Sequence, residues 1–326
     1  MIEFQGVSKV FADGTKAVSD LNFRIEKGEL FVLIGPSGCG KTTTMKMINR
    51  LIDSSDGKIF IQDKNIRDMN MKRLRWNIGY VLQQIALFPH MTIKENISIV
   101  PELVKWPKEA ISKRVDELLD MVGLDPSTYR DRMPDELSGG QQQRVGVVRA
   151  LAGDPDIILM DEPFSALDPI TREQLQKDIL DLQKNIKKTI VFVTHDMDEA
   201  LALGNRICIL KEGSVVQVDT PEKLLQHPSD DFVEKFIGAR QDPWGAPLSE
   251  MTLYRSRTQA PLKEEVNEFL LTSHSVRAAF EKLKDSEKDS LAVFNDEKEY
   301  TGDVSYKDIV LHLEKYHFKD RGGALS

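Results

Sequence analysis

An α/β protein built around a largely parallel sheet follows from three features of this 326-residue chain. Short, continuously apolar runs, "LFVLI" (30–34), "IILM" (157–160) and "TIVFV" (189–193), alternate with segments of helical spacing. Such runs have no polar face, so they suit strands covered on both sides by other elements. Helix starts follow them: a glycine-rich stretch leads into "TTMKMINRLI" (43–52), and Asp168-Pro169 joins a capping residue to a first-turn proline.

From the N-terminus, "IEFQGVSKVF" (2–11) and "KAVSDLNFRI" (16–25) alternate like antiparallel strands, with turns at "ADG" and "EKGE". "LFVLI" follows as the next strand of that series, and "GKIFIQD" (57–63) is a further short strand. Residues 108–122, "KEAISKRVDELLDMV", carry apolar side chains at helical spacing and stop at Gly123, a good C-terminal cap. "DIILMD" (156–161) is a buried strand ending in carboxylates, and "MDEALAL" (197–203) is a helix. "RICILKEGSVVQV" (206–218) reads as a hairpin turning at Glu212-Gly213. The unit closes near "FVEKFIG", which assigns residues 1–238 to one domain. The stretch 239–251, containing "ARQDPWGAPLSE", is rich in proline, glycine and small polar residues and reads as a linker. Residues 252–326 hold a helix at about 275–284, strands "SLAVFN" and "EYTGDV", and a helix at 306–316. That is a small α+β module with too little chain for a large core.

Composition narrows the function. Hydrophobic residues at 40% and charged residues at 29% are the balance of a soluble globular protein. A formal charge of −8 argues against wrapping nucleic acid. The two cysteines, Cys39 and Cys208, lack metal-ligand spacing and fit a reducing cytoplasm. No signal-peptide pattern is visible at the N-terminus, and no apolar run approaches the roughly 18–20 residues that cross a bilayer. Work at a membrane would therefore go through a partner.

Three motifs carry chemistry. "GPSGCGKT" (35–42) fits G-x-x-x-x-G-K-[ST] between a buried strand and a helix. Glycines let backbone N–H groups cradle phosphate oxygens, Lys41 reaches the outer phosphates, and Thr42 offers a hydroxyl to Mg²⁺. A plain glycine-rich turn is the bland alternative, and the flanking strand and helix speak against it. Asp161 ends the next buried strand, where a carboxylate can hold Mg²⁺, and Glu162 can deprotonate an attacking water. "LSGGQ" (137–141) places Ser138 and two glycines before a credible helix, a second anion-binding helix start. Alone it would read as a flexible turn.

GPSGCGKT, LSGGQ, LMDE, SALD (165–168) and TH (194–195), in this order, resemble the nucleotide-binding subunit of ATP-binding-cassette transporters over residues 1–238. The resemblance implies a P-loop ATPase core with a mostly parallel sheet, an antiparallel β subdomain and a helical subdomain. It implies ATP and Mg²⁺ as cofactors and a head-to-tail homodimer. Each ATP would then touch Gly35, Pro36, Ser37, Gly38, Cys39, Gly40, Lys41, Thr42 and Thr43 of one chain. Ser138, Gly139, Gly140 and Gln141 would come from the partner. Phe11 matches the aromatic that stacks on adenine, with a buried strand residue as its bland alternative. Gln83, with Gln84 beside it, matches the loop glutamine that serves Mg²⁺ and the attacking water, and His195 matches the switch histidine at the γ-phosphate. Thr42, Gln83 and Asp161 are thus the metal set, and Glu162, His195 and Gln83 the catalytic set.

More narrowly, "KTTTMKMINRLI", "LQQIALFPHMT", "DEPFSALDPITR" and "FVTHDMDEALAL" resemble importers of glycine betaine, carnitine or choline. That implies integral permease subunits, an extracellular substrate-binding protein or domain, and a peripheral place on the cytoplasmic face of the membrane. Import of another small solute is the alternative; export, or cassette action on ribosomes or nucleic acid, fits less well. The tail resembles a single repeat of the cystathionine-β-synthase type. "GDVSYKD" (302–308) sets Ser305 and Asp308 at the positions that contact an adenine nucleotide such as cyclic di-AMP. A docking appendage that binds nothing is the equal alternative.

Overall fold

The computed structural model describes residues 1–165, 167–238, 244–251, 253, 266, 268–286 and 288–319. The chain divides into two compact units, Met1–Ile237 and Gly238–Ser326.

In the first unit, β1 (Ile2–Val10), β2 (Lys16–Ile25), β4 (Asp56–Ile61) and β5 (Lys64–Asn65) form an antiparallel sheet in the order β2-β1-β4-β5. A second sheet uses β3 (Leu30–Ile34), β6 (Ile78–Val81), β7 (Ile157–Asp161), β8 (Thr189–Val193), β9 (Arg206–Lys211) and β10 (Ser214–Asp219). Its order is β10-β9-β3-β8-β7-β6, parallel throughout except for β10 at one edge. "LFVLI" thus leaves the antiparallel series that its position suggests and becomes a central strand of the parallel sheet. The reason is that it has no polar alternation to give a wet face: all five of its residues are buried.

The parallel strands feed two cores at once. Along β3, Leu30, Val32 and Ile34 face one cluster, while Phe31 and Leu33 face the other. β7, β8 and β9 split the same way: Met160, Phe192 and Ile209 lie on the first side, and Leu159, Val191 and Leu210 on the second. The second cluster is closed by the antiparallel sheet and by α1 (Lys41–Ile48). The first is covered by helices, and each fully buried Leu, Ile or Phe there contributes about 1.5–3 kcal/mol.

Between residues 66 and 107 the sequence carries no clear period, and the structure places there α2 (Met71–Trp76), β6 and α3 (Ile93–Leu103). α3 packs with α4 (Lys108–Met121) and α6 (Gly139–Leu151), and α5 (Pro126–Tyr129) lies against α4. α4 buries Ile111, Val115, Leu118 and Leu119, one stripe at helical spacing, and Gly123 follows with φ 68°. After β7 come α7 (Pro169–Ile186), α8 (Met197–Leu203), α9 (Pro221–Gln226) and α10 (Asp231–Ile237).

The second unit has a three-stranded sheet, β11 (Phe269–Leu271), β12 (Ser290–Phe294) and β13 (Tyr300–Ser305), with α11 (Val276–Lys284) and α12 (Tyr306–Lys319). β12 is central, pairing parallel with β11 and antiparallel with β13. The linker expected at 239–251 requires correction. Residues 239–243 lie outside the described residues, but Ala246, Leu248 and Met251 are buried in this unit's core with Leu270, Val276 and Leu291. Pro247 also bridges to Ser275, and Leu248 N donates to His274 O at 2.9 Å. A proline- and glycine-rich composition therefore did not mean an absence of packing, and Leu248–Glu250 form one 3-10 turn.

Candidate active site

The loop 35–42 joins the buried end of β3 to α1. Two of its glycines are required by space. A Cβ on Gly35 would meet Leu210 O at 2.1 Å, and one on Gly40, at φ 99°, would meet Ala17 O at 2.6 Å. Pro36, Ser37 and Gly38 are exposed at the apex, Cys39 is buried, and Thr42 and Thr43 are half-buried. The Lys41 ammonium is buried and donates to Gly35 O at 2.7 Å and Pro36 O at 3.1 Å. A buried charge needs such partners, and carbonyls of its own loop supply them here.

At the next strand end, the backbone turns Asp161 and Glu162 toward different neighbours. Glu162 has φ 44°, a left-handed conformation that costs a non-glycine residue about 1–3 kcal/mol, and its N–H is held by Val193 O at 3.0 Å. The Thr42 hydroxyl donates to Asp161 Oδ1 at 3.0 Å, and the Tyr80 hydroxyl to Asp161 Oδ2 at 3.3 Å. Burial pushes the Asp161 carboxyl above its ordinary range, opposed by the Thr42 hydroxyl, Lys46 and the Tyr80 hydroxyl. Glu162 Oε2 receives Gln83 Nε2 at 3.2 Å and lies 3.1 Å from His195 Nδ1. Three loops therefore converge on one carboxylate oxygen beside the phosphate loop, an arrangement suited to holding and deprotonating a water. Gln83, not Gln84, makes that contact.

A hydroxyl and a carboxylate in contact are hard oxygen donors that suit Mg²⁺, which keeps water and phosphate among its ligands. Among the described residues no group of three or more His, Cys, Asp or Glu side chains is placed to hold a metal by itself.

Ser138 to Gln141 stand apart from this constellation. Ser138 Oγ caps α6 by accepting from Gln141 N at 3.3 Å, and Gln141 Oε1 accepts from Ser138 N at 2.9 Å. Gln141 Nε2 donates to the Tyr129 hydroxyl at 3.0 Å. Ser138 and Gly139 are exposed, and a Cβ on Gly140 would meet the Thr171 methyl at 2.3 Å. Phe11 is 38% exposed, with the Lys9 ammonium 5.3 Å from its ring centre, so it is not the buried strand residue of the bland reading. In the other unit, Ser305 Oγ caps α12 by accepting from Asp308 N at 3.4 Å, and Ser305 N and Oγ donate to Asp308 Oδ2 at 2.9 and 2.6 Å.

Four residues that sequence reasoning passed over hold the segments around this site. Tyr80 grips Asp161. Asn96, fully buried, accepts from Phe88 N at 2.8 Å and donates to Phe88 O at 3.1 Å, while Arg149 donates to Ala86 O at 2.6 Å. Glu199 accepts from the Thr194 hydroxyl next to His195, and burial pushes its carboxyl up. No local spacing distinguishes these from ordinary packed or surface residues.

The sequence pattern of the ABC transporter family matches residues 18–165. The choline transport ATP-binding protein OpuBA of Bacillus subtilis is 51% identical over 311 residues, 93% of this chain and 78% of that protein. The chain belongs to the ATP-binding proteins of ABC transporters. This ABC ATPase is also 49% identical to a carnitine transport ATP-binding protein of Listeria monocytogenes, over 96% of this chain and 77% of that one. A glycine betaine/carnitine/choline transport ATP-binding protein of B. subtilis is 60% identical over 73% of this chain and 62% of that protein. Among solved structures, CbiO1 of a Clostridium perfringens ABC transporter complex matches with a TM-score of 0.65 at 29% identity, over 69% of this chain and 90% of that one. A dimeric ATP-binding cassette in a post-hydrolysis state, bound to ADP and Pi, matches at 0.61 and 35% identity, over 68% and 99%.

Proposed function

We propose that this ABC ATPase drives uptake of a small quaternary ammonium osmolyte, glycine betaine, carnitine or choline, through separate permease subunits. The observation that carries the reading is the similarity to a choline transport protein over 93% of the chain, which runs past Ile237 into the second unit. No helix among the described residues is long and apolar enough to cross a membrane, which suits a subunit acting peripherally on the cytoplasmic face. A groove of about 480 Å³ beside the edge strand β6, lined by Trp76, Leu82, Phe88 and Arg149 among others, is a suitable seat for a permease segment. An extracellular substrate-binding protein or domain would deliver the solute.

In this reading the loop amides and Lys41 hold the ATP phosphates. Thr42, Asp161 and Gln83 serve Mg²⁺, which neutralises phosphate charge when bound. Glu162 takes a proton from the attacking water, with Gln83 and His195 holding the geometry. Phe11 stacks on adenine. Ser138 to Gln141 of a second copy close over the γ-phosphate, a role supported by the exposure of Ser138 and Gly139. The second unit serves as a regulatory module. An adenine nucleotide such as cyclic di-AMP binding there would have to share or displace the Ser305–Asp308 capping bonds.

Uptake of labelled glycine betaine, carnitine and choline tests the proposal in cells lacking this chain, complemented by the natural chain or by Glu162→Gln. Restored uptake of at least one of the three, by the natural chain alone, is the expected result. Restoration of none would reject the solute class.

A further inference from the structure

Tyr80 has no part in the phosphate, metal and water roles proposed above, yet it touches Asp161 directly. It sits on the edge strand β6, opposite Leu159 of β7, three residues before Gln83. Its hydroxyl reaches Asp161 Oδ2 at 3.3 Å, while Thr42 Oγ1 reaches Asp161 Oδ1 at 3.0 Å. The two oxygens of one buried carboxylate are thus held from opposite sides, one by the first turn of α1 and one by the sheet edge. Two such bonds fix the rotation of the carboxylate plane and leave lone pairs for a further ligand. Hydrogen bonds to a buried anion also offset its desolvation, and those involving a charged group are the stronger ones.

We propose that Tyr80 is a positioning residue for the metal site: its hydroxyl holds the Asp161 carboxylate with Oδ1 toward the Thr42 hydroxyl, the orientation in which the two residues would serve Mg²⁺. The proposal rests on the reading that Thr42 and Asp161 serve that ion. It gives strand β6 a second task beside presenting Gln83, since one short segment then touches both the metal carboxylate and the water-activating one.

The discriminating change is Tyr80→Phe, which keeps the ring and removes only the hydroxyl. Binding of a non-hydrolysable ATP analogue to the full-length chain would be followed by displacement of a fluorescent nucleotide, in EDTA and across a Mg²⁺ titration. Affinity in EDTA should stay within about twofold. The Mg²⁺ concentration for half-maximal enhancement should rise roughly tenfold, the effect of losing one hydrogen bond to a charged group. In an Asp161→Asn background, Tyr80→Phe should add nothing, because the two act through one contact. An unchanged Mg²⁺ titration in Asp161→Asn alone would reject the metal role of Asp161 and the proposal with it. A shift in Asp161→Asn with none in Tyr80→Phe overturns the Tyr80 proposal alone. Equal losses in EDTA and in Mg²⁺ would make Tyr80 a packing residue and overturn it as well.

Discussion

Helices α1 and α6 both begin at glycine-rich turns, but their first turns are finished differently. α1 starts at Gly40 with φ 99° and has no side-chain cap, and no acidic residue lies in its first turn. α6 starts at Ser138, whose side chain and that of Gln141 satisfy each other's backbone amides in a capping box. Every helix begins with amides that lack an intrahelical partner. Those of α1 have no side-chain cap and lie beside a buried lysine, which suits the phosphate role proposed for this loop. Those of α6 are partly satisfied by the capping box, so its exposed start is complete by itself. In the proposed function, the difference separates a start left open for phosphate from one already finished by its own side chains.

The largest effect expected is beside α1, where Glu162 follows the Asp161 that meets Thr42. Glu162→Gln should lower ATP turnover by at least about a hundredfold, the usual size of a general-base contribution, with ATP binding intact. Phosphate release and equilibrium binding on the purified chain measure the two separately. Near-normal turnover would remove Glu162 from the water-activating role.

Closing the space at α1 attacks the comparison itself. Gly40→Ala sets a Cβ 2.6 Å from Ala17 O at a φ of 99°. Left-handed strain alone is about 1–3 kcal/mol, so ATP affinity measured by calorimetry should fall about tenfold or more. Unchanged affinity would show that the loop does not depend on that backbone geometry to reserve its amides.

At α6, cap and recognition can be pulled apart. Ser138→Ala should cost about 1 kcal/mol in thermal stability, whereas Ser138→Asp keeps a capping oxygen and should cost little. The aspartate nonetheless places a carboxylate where the proposed dimer brings a γ-phosphate, so its ATPase activity should fall while binding to its own loop persists. In mixtures with Lys41→Ala chains, at most one site per dimer should then work. Full activity of Ser138→Asp would mean that this helix start never meets phosphate.

The smallest expected effect is a pH dependence at Glu199. Burial raises its carboxyl above the ordinary 4.5, against the Thr194 hydroxyl, while Asp196 adds to the rise. A raised acid contributes its full stability below pH 4.5 and loses it as the pH rises through the shifted value. Glu199→Gln, which retains an acceptor for Thr194, should therefore gain on the natural chain between acid and neutral pH. Melting curves with a constant difference across that range would exclude the buried charge as the cause.

What could be read without coordinates is what lies within one short piece of chain. The loop 35–42, the strand ending at Asp161 and Glu162, and the helix start at Ser138 are each contiguous. Their strand and helix surroundings are written in the same few residues by apolar runs, glycines and capping types. Strands β7 and β8 of the parallel sheet were legible for the same reason, because a run without polar residues must be covered on both faces. Other features depended on contacts between distant segments. "LFVLI" joined the parallel sheet because β8 and β9 flank it, and Ala246, Leu248 and Met251 joined a core although their neighbours resemble a linker. Which of Gln83 and Gln84 faces Glu162, and that Tyr80, Asn96 and Arg149 hold the loops, were decided only by the fold. A hydrogen bond across 79 or 81 positions leaves no period or spacing in the sequence, since only packing brings such partners within reach.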